Sequence, residues 1–184
     1  MDRVHKPHNL SAILRSADAV GIMAVHAVSA GRRLSKLNHT SGGAQRWIAL
    51  HHHPDAGTGL AQLRAAGHRL YAAHFSDAAV DFREADYTLP SAIVVGTEKY
   101  GVADETLALV DQQITIPMHG MTRSLNVSVA TALILYEAER QRRAAGLYQP
   151  RALDLEPWQS LHQQWLEREE ARKAWLAGSA SHQG

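Results

Sequence analysis

A chain of 184 residues, 45% hydrophobic and free of cysteine, can bury one sizeable core but has no disulfide and no thiolate metal ligand. No leader follows Met1-Asp-Arg-Val and no run approaches a membrane span, so a soluble, cytoplasmic protein that neither enters a membrane nor needs a metal is expected. Net charge is only +1, yet Arg3, Lys6, Arg32, Arg33, Lys36, Arg140, Arg142, Arg143 and Arg151 lie where acids are few, while acids gather in 77–86 and 156–170. That segregation suits a nucleic acid held on one face, and equally suits ordinary solvated helix ends.

In chain order, Leu10, Ile13, Leu14 and Ala17 at helical spacing predict an amphipathic helix over 10–20, capped by Asn9. A strand over 23–28 follows, then a Gly-, Ser- and Asn-rich basic loop over 31–45 and a second strand over 47–51. A helix over 58–66 is stopped by Gly67. Strands are expected at 70–73, 92–96 and 113–116, with a loop through 77–82, a helix over 103–110 and a long helix over 125–145. Alternation of this kind predicts an α/β fold with an open, mainly parallel sheet. Residues 1–146 read as one domain, and 147–184 as a linker followed by a helical tail over 157–176. In that tail Trp158, Leu161, Trp165, Leu166 and Trp175 form a stripe better suited to docking than to ligand binding.

Three segments carry polar chemistry beside apolar runs. In Ser124-Leu-Asn-Val-Ser-Val-Ala-Thr-Ala-Leu133, Ser124, Asn126 and Ser128 stand at the mouth of a helix whose apolar run over 129–135 predicts little solvent-facing surface. Helix N-termini offer unpaired N–H groups and a positive dipole end, so one cap would suffice and three polar residues are more than a start requires. In Val94-Val-Gly-Thr-Glu-Lys-Tyr-Gly-Val102, Glu98 lies between two glycines after an apolar strand, where open α/β sheets bind nucleotides. This loop has neither the ending of a phosphate loop nor a dinucleotide fingerprint. The third is His8-Asn-Leu-Ser-Ala-Ile-Leu-Arg15, whose Arg15 could simply pair with Asp18. His51-His-His53 lacks metal-ligand spacing.

Together the trio resembles the three motifs of the SpoU branch of the SPOUT methyltransferases. Val4-His-Lys-Pro-His-Asn9, Val80-Asp-Phe-Arg-Glu-Ala-Asp-Tyr87, Ile116-Pro-Met-His-Gly-Met121 and Tyr136-Glu-Ala-Glu-Arg-Gln-Arg142 extend the resemblance over roughly residues 4–150. The resemblance implies a sheet closed by a C-terminal deep trefoil knot, a homodimer, and S-adenosylmethionine as cofactor. It further implies 2′-O-methylation of a tRNA ribose, at guanosine 18 of the D-loop; another tRNA or ribosomal RNA nucleotide, or a non-catalytic RNA-binding role, are the alternatives. The implied catalytic set is Asn9, Arg15, Glu98, Ser124 and Asn126. The implied cofactor cradle is Gly96, Thr97, Glu98, Gly101, Ile116, Met118, Ser124, Leu125 and Asn126. Candidate RNA contacts are His8, Arg15, Arg123, Arg140, Arg142 and Arg151.

A ribose hydroxyl is a weak acid, so positioning and charge stabilisation must supply much of the rate. The family assigns the arginine matching Arg15 to that hydroxyl. A guanidinium is a poor proton acceptor, which favours stabilisation of a developing alkoxide over general-base catalysis. Relatives carry a basic helical segment ahead of the first motif, which here opens close to Met1; that difference bears on RNA affinity more than on catalysis.

Overall fold

The structure, a computed structural model, describes residues 1–4, 6–28, 47–97, 100–148 and 155–180. The chain divides into two compact units, Met1–Tyr148 and Gln149–Gly184. The basic loop predicted over 31–45 lies outside the described residues, as do Glu98 and Arg151.

Helix α1 (Pro7–Ala19) opens on a proline, whose missing N–H would have no helical partner in the first turn anyway. Lys6 therefore holds the cap position without a side-chain capping bond, and Asn9, expected there, sits inside the helix at 1% exposure. Strands β1 (Ala24–Val28) and β2 (Ala49–His53) follow, the second placed two residues later than its apolar pattern suggested. Helix α2 (Ala56–Ala65) likewise starts before its predicted first residue, because Asp55 caps it by accepting from the Thr58 N–H at 2.7 Å. Gly67, at φ +81°, ends it as expected.

Next come β3 (Arg69–Ala73), the two-residue β4 (Val80–Asp81) and β5 (Ser91–Val94). Helix α3 (Asp104–Leu107) is a single turn; Leu109 and Val110 continue it only as three-residue turns, bonding back to Thr106 and Leu107. β6 (Gln112–Thr115) leads to α4 (Val127–Ala144), which begins two residues after the predicted start, so Ser124 stands outside the helix. Helix α5 (Leu155–Ala180) forms the second unit; the side chains of Trp158, Leu161 and Trp175 lie outside the described residues.

All pairings between these strands are parallel. β3 is central in the order β4-β6-β3-β5, and Leu70, Tyr71 and Ala72 are wholly buried, as a strand covered on both faces requires. The buried tyrosine hydroxyls are satisfied: Tyr71 donates to the Asp86 carbonyl at 2.8 Å and Tyr87 to that of Phe82 at 2.7 Å. α1 packs on α4, joining Leu10, Ile13, Leu14 and Ala17 to Val127 and Leu135 in one core.

Two results depart from the sequence pattern. α4 is not wrapped by core: Val129, Leu133 and Tyr136 are 48%, 44% and 53% exposed, an i, i+4, i+7 stripe facing away from α1. Strands β1 and β2 also form a sheet of their own. At its margin the Val28 N–H donates to the Met1 carbonyl at 3.0 Å, and the Asp2 N–H donates to Val95 at 2.7 Å, bridging toward β5. Beyond this bridge a cavity of about 530 Å³ opens between β1 and β5, lined by Ile13 and Val20 from one side and Leu60 and Leu63 from another.

His26 and His53 form part of that cavity's wall. The β1–β2 register brings three imidazoles together: His26 Nδ1 and His53 Nε2 lie 2.8 Å apart, and the His26 ring stacks on His51 at 4.7 Å. Burial, helped by the neighbouring imidazoles, lowers His26 to about 4; burial also lowers His53. Among the described residues no group of three His, Cys, Asp or Glu side chains is arranged to hold a metal ion, and no helix is long and apolar enough to cross a membrane.

Candidate functional site

Parallel strands present their C-terminal ends to one edge of the sheet, and ligands bind there. At the ends of β3, β5 and β6 lies a second cavity, about 320 Å³, lined by Gly96, Thr97, Gly101, Ile116, Met118, Ser124 and Leu125. These are seven of the nine residues assigned to the cofactor cradle; Glu98 is outside the described residues, and Asn126 caps the adjoining helix.

The loop after β5 closes on itself. Thr97 and Gly101 exchange both backbone hydrogen bonds, at 2.9 and 2.8 Å, and the Tyr100 N–H donates to Thr97 Oγ1. A Cβ on Gly96 would fall 1.9 Å from the Gly101 carbonyl oxygen, so the glycine is required by the loop's own backbone. Gly101 has φ +68°, the left-handed region that glycine tolerates. Val127, Ala130 and Ile134 of α4 complete the lining with Ile114 from β6. The pocket therefore offers an apolar floor under a rim of backbone amides, hydroxyls and one cation.

The helix mouth is more tightly organised than a simple cap. Asn126 Oδ1 accepts from the Ser128 N–H at 2.8 Å and from Ser128 Oγ at 2.6 Å. Its Nδ2 donates to Asn9 Oδ1 at 3.2 Å, across 117 positions of sequence. The first and third motifs are thus tied directly, and Asn9 is buried because this bond and the α1–α4 contact hold it there. Ser124 stays exposed on the pocket rim.

Arg15 does not line this pocket. Six residues along a helix place it about 120° around the axis from Asn9, and it is exposed. No ion pair joins it to Asp18 among the described residues. His8 is exposed. Arg123 is exposed at the pocket mouth. Arg140 pairs with Glu137 through two bonds of 2.8 Å, which hold that carboxyl below its usual range. Arg142 donates to the carbonyls of Tyr87 and Leu89, fastening the segment before β5 to α4. Two lining residues, His74 and Phe75, were not marked by any sequence pattern; their only signal is position, just past the end of β3.

The model of the SpoU rRNA Methylase family matches residues 1–136. The tRNA (guanosine(18)-2′-O)-methyltransferase of Thermus thermophilus is 50% identical over 168 residues, covering 91% of this chain and 87% of that protein. The solved Aquifex aeolicus TrmH/SpoU tRNA modifying enzyme superposes with a TM-score of 0.83 at 39% identity, over 90% of this chain and 85% of the other. The SpoU methyltransferase AviRb from Streptomyces viridochromogenes, solved in complex with the cofactor AdoMet, gives a TM-score of 0.71 at 31% identity, over 78% of this chain and 59% of its own.

Proposed function

The chain belongs to the SpoU methylase family, and from that premise we propose that it transfers a methyl group from S-adenosylmethionine to the 2′-oxygen of guanosine 18 in the tRNA D-loop. One observation carries the reading: the second and third motif segments, far apart in sequence, line one pocket through the Gly96–Gly101 loop and Ser124, and the first is tied to the helix mouth beside it by the Asn126–Asn9 bond. The residues present fit the cofactor. Gly96, Thr97, Gly101, Ile116 and Met118 surround a cavity sized for a nucleoside, and the partly exposed side chains of Ile116, Met118 and Leu125 would give it apolar contact. When bound, S-adenosylmethionine supplies an electrophilic methyl group on a sulfonium.

Arg15 serves the nucleophile. A fixed guanidinium beside the ribose 2′-oxygen or its phosphate stabilises the alkoxide as the proton leaves, and a charge-assisted hydrogen bond of that kind contributes roughly 1.5–3 kcal/mol. The family resemblance implies a homodimer as the working unit, and Arg15, which lies outside the pocket of its own chain, would in that dimer approach the partner's pocket. The exposed Val129, Leu133 and Tyr136 stripe of α4 is apolar surface fit for that contact. Asn9 and Asn126 position the helix mouth, Ser124 holds the cofactor, Glu98 serves the site electrostatically, and Arg123, Arg140, Arg142, Arg151 and His8 serve RNA binding. The C-terminal half of the 1–146 domain forms a deep trefoil knot, and the protein works in the cytoplasm, where tRNA is its substrate.

The test is methyl transfer from labelled S-adenosylmethionine to an unmodified tRNA transcript, followed by nuclease mapping. Label in 2′-O-methylguanosine at position 18 is expected; label elsewhere keeps the enzyme and moves its substrate. Arg15→Lys retains charge but loses the planar fork. It is expected to lower turnover by 100-fold or more, on the order of one lost transition-state contact, with cofactor affinity intact. Full turnover in that variant would remove Arg15 from the mechanism.

A further inference from the structure

Of the chain's two phenylalanines, Phe82 is half-buried, whereas Phe75 is 79% exposed just past the end of β3. Tyr100, in the loop after β5, is 75% exposed. Both line the mouth of the 320 Å³ pocket, with Arg123 and Ser124 on the same rim. The two loops are neighbours at that mouth: the His74 ring faces Gly101, 3.4 Å from where a Cβ on that glycine would stand. The fold does not require these rings, since neither fills core. Each leaves most of its surface exposed to solvent at that mouth, where a ligand outside the pocket can reach it.

We propose that Phe75 and Tyr100 form a stacking platform for an unpaired base of the RNA strand, next to the nucleotide being methylated, with Arg123 taking the phosphate of that same nucleotide. Base–aromatic stacking tolerates any base because every base has a π-face. Proteins that act on looped RNA hold splayed bases in this way. The platform therefore positions the strand without selecting its sequence, while the guanidinium supplies the salt-sensitive part of the grip. This inference rests on the RNA methyltransferase reading above and adds the residues by which the substrate strand is held at the pocket.

Phe75→Ala and Tyr100→Ala would each be assayed for tRNA KM, and for S-adenosylhomocysteine affinity by calorimetry. The expected result is a rise in tRNA KM of roughly tenfold per ring, with Tyr100→Phe close to the parent protein, as loss of one stacked base implies. Cofactor-product affinity should stay within about twofold, because the interior lining is untouched. Arg123→Ala should reduce the salt dependence of tRNA binding by about one phosphate's worth, which the ring variants leave alone. Loss of S-adenosylhomocysteine affinity in the ring variants would assign the rings to the cofactor and overturn the platform; an unchanged tRNA KM would overturn it as well. Should the parent protein methylate no tRNA, the functional reading fails. Direct titration of single-stranded RNA against parent and ring variants then decides the platform by itself, with equal affinities overturning it.

Discussion

Two cavities border the strands among the described residues, and the motif-derived cofactor cradle falls at the smaller. The gap of about 530 Å³ between β1 and β5 is lined mostly by aliphatic side chains and contains none of the residues implied for catalysis or for the cofactor cradle. The pocket of about 320 Å³ beyond β3, β5 and β6 gathers backbone amides, hydroxyls and a guanidinium over an apolar floor. Volume marks where packing is incomplete, whereas a site needs convergent polar groups at the end of the sheet where they can reach a ligand. The two cavities should therefore fail differently: damage to the smaller removes ligand binding, and damage to the walls of the larger removes stability.

Gly96→Ala gives the strongest expected break. Its Cβ would collide with the Gly101 backbone, so the loop must move. Cofactor affinity should fall more than 100-fold and stability by about 2 kcal/mol or more, as forced backbone shifts do. Calorimetry with S-adenosylhomocysteine and a thermal melt would measure both. Intact binding would mean that the loop is not the cradle.

Acid should attack the wall of the larger cavity. His26 is held at about 4 in the folded protein, whereas an unfolded histidine titrates near 6.5. Between those values the unfolded chain binds the extra proton, so stability is full above pH 6.5 and is lost as pH falls toward 4. The expected loss is roughly 1–3 kcal/mol, measured by denaturant melts across that window. His26→Phe should flatten the profile; a slope unchanged by that substitution would show that other groups set it.

A smaller effect tests the joint between motifs. Asn126→Ala removes both the α4 cap and the partner of Asn9, and should cost about 1–2 kcal/mol. Asn126→Ser restores the cap alone. The part of the loss that serine fails to recover measures the Asn9 bond, and full recovery would reduce that bond to a bystander.

Much of the pocket was legible because its signals are local. Glycines around Glu98, Pro117 ending the 113–116 run and Asn126 before an apolar helix are each decided by neighbours in sequence. Element edges were less legible where tertiary contacts overrode pattern. β2 extends through three histidines because β1 pairs with them, and α1 begins early because Pro7 suits a first turn. The buried run of α4 was misjudged for the same reason: apolar composition reports what a helix could bury, and only its neighbours decide which face is covered.

Sequence by itself determined the family, the alternation of strands and helices, the three motif segments and eight of the residues that line the pocket. Tertiary structure alone decided that Asn9 is a buried partner of Asn126 rather than a cap, that three imidazoles meet across β1 and β2, that Arg15 stands away from the pocket, and that a cavity opens between β1 and β5. The physical reason is one of range. Caps, turns and periodicity are settled within a few residues, whereas parallel strands and a bond spanning 117 positions exist only once distant segments have been brought together.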